Sequence, residues 1–409
     1  MSTSQTATEW SEMYAGRVSR MGASEIRELL KVLDQPDMIS FAGGIPDPAL
    51  FPTETIKQAY VDTLEQTQLG GQSLQYSVSE GYLPLRRWLA EYMTSLGAPC
   101  TPENIVITSG SQQGLDYLGK LFLSPGDTAL VTAPTYLGAL QAFNPYEPSY
   151  ATIELELDSV RCGEIPSRPA FAYVVADFAN PTGISLTEGQ RRGLLSLADD
   201  LGVPLIEDAA YEALRFDGER IPSCLALDIR RRGSIDESNV IYCGTFSKTI
   251  SPGLRVGWIC AASELVQKIV LTKQASDLHS PTLNQMVMHQ VVEAIYPEQV
   301  ERITAVYAQR RSAMLRALSE YLPDGVTWTE PEGGMFVWVT LPAGMDAKTL
   351  LESALTEERV AFVPGGAFFA DGSGKNTLRL SYSLPSEAVI QEGVSRLGRL
   401  IVRNWPGPA

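Results

Sequence analysis

The stretch Thr245–Gly257 reads TFSKTISPGLRVG, and its reading decides the fold. It follows a short apolar run, Val240–Cys243, and leads into a second, Val256–Ala262. Both runs predict buried strands. The connection carries hydroxyls at Thr245 and Ser247, an amine at Lys248 and a guanidinium at Arg255, and Gly253 and Gly257 let the backbone turn tightly around them. A lysine at the end of a buried strand loses hydration, which lowers its pKa toward the range where it is a nucleophile. Hydroxyls and an arginine a few residues away suit a phosphate. On these residues alone the alternative is a surface loop with one ordinary lysine.

Outward from this stretch, the preceding half of the chain alternates apolar strands with helices. Asn104–Thr108 is a predicted strand that runs through Gly110 into Ser111-Gln112-Gln113-Gly114, the opening of a helix to Phe122. Free N–H groups and the helix dipole make such a junction an anion site. Ala129–Thr132 ends at Ala133-Pro134-Thr135-Tyr136, which places Tyr136 at a strand's carboxyl edge. Tyr173–Ala176 ends in Asn180-Pro181-Thr182-Gly183. After a helix over Thr187–Leu201, Val203–Ile206 ends at Glu207-Asp208-Ala209-Ala210-Tyr211. Every polar candidate follows the carboxyl end of an apolar run, the edge at which open α/β sheets bind ligands. Short apolar runs with helical crossovers predict a mostly parallel sheet covered on both faces.

The flanks read differently. Residues 1–23 resemble a mobile arm, and Ser24–Leu33 predicts a short amphipathic helix capped by Ser24. Arg27 lies at the edge of its apolar stripe, facing either an anion across an interface or solvent. Ser40–Pro52, SFAGGIPDPALFP, is an extended segment whose Gly43 and Gly44 can bring backbone N–H groups close to a carboxylate. Tyr76 precedes a helix over Pro84–Leu96 and by itself reads as a packing tyrosine. Beyond a helix at Ser263–Ala275, Pro297–Leu322 predicts one long helix bridging two domains. The remainder predicts a small α+β domain: strands at Val326–Thr329, Met335–Thr340, Val360–Pro364 and Thr377–Ser381, with helices at Asp346–Arg359 and Ser386–Val402. Alternation in TLRLSYS puts Arg379 opposite Leu378 and Leu380, so it faces either the gap between domains or solvent.

Composition excludes several classes. The 409 residues suit a large domain plus a smaller one, and 44% apolar content leaves no reason to expect extended disorder. A net charge of −16 repels nucleic acid and anionic membrane as main partners. No apolar run approaches a bilayer span, and Met1–Glu9 lacks the apolar core of a secretory signal. The five cysteines show no CxxC spacing and suit reduced thiols in the cytoplasm. Two histidines make a His-based metal site unexpected.

The polar candidates match the demands of one cofactor. Pyridoxal phosphate requires a lysine that forms a Schiff base and moves a proton, a carboxylate on its pyridine nitrogen, donors to its phenolic oxygen, an aromatic ring against its own, and a phosphate cradle. The chain offers Lys248, Asp208, Asn180 with Tyr211, Tyr136, and Ser111, Gln112, Thr245, Ser247 and Arg255 respectively.

The ordered set AGGIP, QYS-x-x-EG, GSQQG, APTY, NPTG, ED-x-x-Y, FSK-x-x-x-PGLRVGW and NTLRLSY resembles the fold-type I pyridoxal-phosphate aminotransferases of class I, nearest the 2-aminoadipate and kynurenine branch. The resemblance runs from about Arg17 to the end. It implies a large α/β domain with a mostly parallel seven-stranded sheet sandwiched by helices, plus a small α+β domain. The corresponding division is 1–52 as arm and short helix, 53–296 as the cofactor domain and 297–409 as the small domain. It further implies that Arg379 binds the substrate α-carboxylate beside Gly44 and Asn180, and that Tyr76 reaches a neighbouring subunit's cofactor phosphate in a homodimer. Ser24 and Arg27 would lie on a short mobile helix, with Arg27 recognising a distal carboxylate or letting the pocket close over a larger apolar side chain. Asp208-Ala209 and Ala179 depart from the family's usual Asp-Asp and Gln, which touches substrate range more than reaction class. The implied activity is transfer of an amino group from an L-amino acid (2-aminoadipate, aromatic, branched-chain or acidic) to a 2-oxo acid such as 2-oxoglutarate. A lyase or decarboxylase on the same scaffold, or an aminotransferase-like regulatory domain, are the rival readings.

Overall fold

The computed structural model describes residues 10–22, 37–157 and 159–405. The predicted helix at Ser24–Leu33, with Ser24 and Arg27, lies outside them. Strand β1 (Ile39–Ser40) precedes the strands of a large sheet: β2 (Ile105–Thr108), β3 (Thr128–Thr132), β4 (Ser149–Leu155), β5 (Val160–Cys162), β6 (Pro169–Val175), β7 (Leu205–Asp208), β8 (Val240–Thr245) and β9 (Gly257–Cys260). Their spatial order is β2-β9-β8-β7-β6-β3-β4-β5. β4, β3, β6, β7 and β8 pair in parallel, while β9 is antiparallel to both of its neighbours. The sheet has eight strands rather than seven, because the three-residue β5 adds an antiparallel edge beside β4. Its Arg161 is exposed and its flanks only partly buried, so it lacks the apolar run that marks a central strand.

Side chains alternate between the two faces. Val106, Tyr173, Ile206, Ile241 and Ile259 enter one core, and Ile105, Ile107, Val174, Leu205, Tyr242 and Trp258 enter the other. The helix at Glu188–Leu201 illustrates how crossovers are bounded. Thr187 accepts a hydrogen bond from the Gln190 backbone at its start, and Gly202 ends it at φ 65°.

The C-terminal part forms a second, antiparallel sheet, ordered β10 (Thr327–Trp328), β11 (Phe336–Thr340), β14 (Thr377–Ser381), β13 (Val363–Pro364). The single strand predicted over Val360–Pro364 is two: β12 (Val360–Ala361) pairs with β1, and β13 pairs with β14. The helix predicted over Asp346–Arg359 is regular only at Ala347–Ser353, then widens into a π turn at Ala354–Glu358 that ends at left-handed Arg359.

The long helix also differs from its prediction. It spans Thr282–Tyr321, 40 residues, and runs through Pro297 instead of starting there. Proline removes one ladder hydrogen bond. Packing holds both halves regardless: Val287, Met288, Val291 and Val292 enter one core, and Ile303, Tyr307, Met314 and Leu318 the other.

Candidate active site

β2, β3, β6, β7 and β8 all run the same way, so their carboxyl ends meet at one edge of the sheet. Pleating then divides adjacent residues between the faces. At the end of β7, Glu207 points into the back layer, where its carboxylate accepts the Cys224 and Leu225 N–H groups at 2.8 and 3.0 Å and caps a helix. Asp208 points the other way. Its Oδ2 accepts from the Tyr173 hydroxyl at 2.9 Å, whereas Oδ1 is buried without a hydrogen-bond partner among the described residues. Burial raises the Asp208 pKa to about 6, against the opposing hydrogen bond from Tyr173, the backbone N–H of Ala210 and the charge of Lys248.

Lys248 follows β8. Its Nζ donates to the Gly44 carbonyl at 3.2 Å and sits 5.6 Å from the centroid of the Tyr211 ring. Burial and then the charge of Arg379 lower its pKa to about 8, partly offset by Asp208. Asn180 divides its amide between two jobs. Nδ2 donates to the Tyr211 hydroxyl at 3.5 Å, and Oδ1 accepts from Arg379 Nη1 at 2.8 Å. Arg379 is 1% exposed. Its Nη2 donates to the Ala42 carbonyl at 2.8 Å, and its plane lies between Phe336 and Phe368, 4.3 and 5.3 Å to the ring centroids. Nε is buried with no partner among the described residues, and burial lowers the pKa to about 10. Of the two orientations left open by strand alternation, the arginine faces inward, from the small sheet toward the carboxyl edge of the large one. Gly44 is held open beside it: a Cβ there would lie 3.1 Å from Phe336 and 3.5 Å from Arg379 Nη2.

A candidate phosphate cradle adjoins the lysine. Gly110, at φ 84°, caps the helix Ser111–Phe122, so the first N–H groups of that helix have no partner in its own ladder. A Cβ on Gly257 would lie 2.8 Å from Gly110 C and Ser111 N, so only glycine leaves that space free. The Thr245 hydroxyl donates to Ser247 Oγ at 2.9 Å. Arg255, at φ 53°, donates to the Ser109 carbonyl at 2.9 Å. The Gln112 side chain donates to the Gly138 carbonyl at 2.6 Å and accepts from the Tyr136 hydroxyl at 3.4 Å, tying Tyr136 to the cradle. Tyr76 stands apart, 80% exposed, with its ring edge-on to His279 at 6.1 Å.

The structure therefore gathers Lys248, Asp208, Asn180, Tyr211, Arg379 and Gly44 around one pocket, and sets Ser111, Gln112, Tyr136, Thr245, Ser247 and Arg255 at and around the cradle. Tyr173, Phe336 and Phe368 are supporting residues that sequence reasoning missed. Tyr173 carried one signal, a phenol with a hydrogen to donate in an otherwise apolar strand beside the acid. These residues fit pyridoxal phosphate: the orphaned Asp208 oxygen suits a protonated ring nitrogen, and the glycine-lined space suits the phosphate.

Such a fold and site define a fold-type I pyridoxal-phosphate-dependent enzyme. Residues 36–397 match the family model for aminotransferase class I and II, and the chain belongs to that family. It is 45% identical to the 2-aminoadipate transaminase of Thermus thermophilus, over 96% of this chain and 97% of that one. It is 41% identical to aromatic-amino-acid aminotransferase 1 of Thermococcus litoralis, over 96% and 95%. Among solved structures, the alpha-aminoadipate aminotransferase of Thermus thermophilus, complexed with N-(5'-phosphopyridoxyl)-L-leucine, is 43% identical with a TM-score of 0.87, covering 97% of this chain and 99% of that one. The protein is a pyridoxal-phosphate-dependent aminotransferase. No helix among the described residues is long and apolar enough to cross a membrane.

Proposed function

We propose that this aminotransferase moves the amino group of 2-aminoadipate or of an aromatic, branched-chain or acidic L-amino acid to a 2-oxo acid such as 2-oxoglutarate, with the residues above in the following roles. Pyridoxal phosphate, when bound, supplies an electron sink for the pair left at the substrate Cα. Asp208 Oδ1 holds a proton on the ring nitrogen, and Asn180 Nδ2 and the Tyr211 hydroxyl serve the phenolic oxygen. Ser111, Gln112, Thr245, Ser247 and Arg255 hold the phosphate, and Tyr136 covers the ring. Arg379 binds the α-carboxylate with N–H groups not already used on Asn180 and Ala42, while the Gly44 backbone borders the same pocket. Lys248 Nζ, neutral above about pH 8, takes the proton from the amino acid Cα and returns one there when the oxo acid is substrate.

The carrying observation is the pairing of a lysine with a buried acid whose Oδ1 has no protein partner among the described residues. Lys248→Ala should abolish the visible absorbance of lysine-bound cofactor and lower turnover by about 10²–10⁴-fold or more, the usual worth of a positioned proton carrier. An unchanged spectrum with retained turnover refutes the reading. Conversion of the cofactor to its amine form by several amino acids separates transamination from lyase or decarboxylase chemistry. The exposure of Tyr76 supports a homodimer in which that tyrosine serves the second copy's site. Free cysteines support a cytoplasmic setting. The chain divides into 1–52, 53–296 and 297–409. Ser24 and Arg27 complete the substrate side, with Arg27 toward a distal carboxylate.

A further inference from the structure

Behind the phosphate cradle lies an ion pair, buried at its lysine and partly exposed at its acid, that the roles above do not use. Lys273, whose side chain is 0% exposed, lies in the last turn of the helix Ser263–Gln274. Its backbone carbonyl accepts the N–H groups of Ser276, Asp277 and Leu278, and Leu278 takes φ 63°. This tight turn folds Asp277 back onto its own helix. Lys273 Nζ donates to Asp277 Oδ1 and Oδ2 at 3.0 and 2.9 Å and to Ser280 Oγ at 2.9 Å. Asp277 also accepts from the Tyr117 hydroxyl at 3.1 Å and from Gln113 Nε2 at 2.8 Å.

The pair is wired to the cradle by two routes. Gln113 Oε1 accepts the Ser109 backbone N–H at 2.8 Å, and Ser280 Oγ accepts from the Ser109 hydroxyl at 3.3 Å. Ser109 is the residue whose carbonyl receives Arg255 and whose successors, Gly110 and Ser111, open the phosphate-facing helix. Two helices and a strand end are therefore locked through one serine. Removing the acid would leave the buried Lys273 charge uncompensated, so the pair holds its geometry closely.

We propose that Lys273, Asp277 and Gln113 are positioning residues for the cofactor phosphate. They hold Ser109 so that the first N–H groups of the helix Ser111–Phe122 and the Arg255 guanidinium converge on one anion. The inference rests on the pyridoxal-phosphate reading above. Gln113 donates to the acid through Nε2, and its Oε1 accepts both the Ser109 N–H and, at 3.5 Å, Lys273 Nζ, so it transmits the position of the pair to the strand end.

Apo-protein carrying Asp277→Asn or Gln113→Leu would be titrated with pyridoxal phosphate, with inorganic phosphate and with pyridoxal, which lacks the phosphate. About tenfold weaker binding of the two phosphate ligands is expected, by analogy with the loss seen when partners behind a ligand shell are removed. Affinity for pyridoxal should stay within about threefold of wild type. Gln113→Leu keeps both charged residues while cutting their link to Ser109, and decides the matter if Asp277→Asn does not fold. Phosphate affinities within about threefold of wild type, or an equal loss for pyridoxal, overturn the proposal. Failure of the wild type itself to bind pyridoxal phosphate would instead sink the reading on which the proposal rests.

Discussion

Arg379→Lys tests the substrate side of the site most directly. The guanidinium spends one N–H on Asn180 and one on Ala42, which leaves further N–H groups for a two-point grip on a carboxylate. A lysine keeps the charge but offers three donors from one atom. After meeting the same two acceptors it can give a carboxylate a single hydrogen bond. One hydrogen bond to a charged group is worth about 2 kcal/mol. At about 1.4 kcal/mol per factor of ten, kcat/KM should fall about 30-fold. Amino acid and oxo acid present the same α-carboxylate, so both half-reactions should lose equally. The lysine-bound cofactor spectrum should be unchanged. Stopped-flow measurement of each half-reaction, with amino donor and with 2-oxoglutarate separately, checks this. A loss below threefold, or one confined to a single half-reaction, would show that Arg379 does not hold the α-carboxylate.

Two further outcomes follow from the cofactor side. Lys248 is held down to about 8, chiefly by burial, so the neutral amine is the minority form below that pH. The rate at which apo-protein takes up pyridoxal phosphate should rise about tenfold per pH unit below 8 and level off above it. An inflection near the ordinary lysine value of 10.5 would contradict the enclosed position of the amine. Gly257→Ala places a Cβ 2.8 Å from Gly110 C and Ser111 N, so the cradle must open or the strand must move. Pyridoxal phosphate affinity, read by absorbance titration, should fall about 5- to 100-fold, the scale of 1–3 kcal/mol for overpacking. Unaltered affinity would mean that the phosphate lies elsewhere.

Much of the site was legible because its chemistry is punctual. Asp208, Asn180, Tyr136 and Lys248 each follow an apolar run, and strand direction then carries them to one edge. Arg379 was legible only to its face of the strand; that it points inward depends on Phe336 and Phe368, which come from separate elements. Tyr173 was hidden inside a strand whose apolar residues signal burial and nothing more. Gln113, Lys273 and Asp277 converge only in three dimensions, across 164 positions of chain from Gln113 to Asp277. The eighth strand was missed because an edge strand needs only one buried flank. The helix through Pro297 was missed because local preference there is outweighed by packing on either side.

That helix has a mechanical meaning. Forty residues at about 1.5 Å each make a beam of about 60 Å, seated at one end beside the large sheet and at the other beside the small one. It lacks one ladder hydrogen bond at Pro297, midway between the residues packed in the two cores. The two cores are thus joined by one unbroken element, and the strand bearing Arg379 and the strands leading to Lys248 and ending at Asp208 are tied to the same helix.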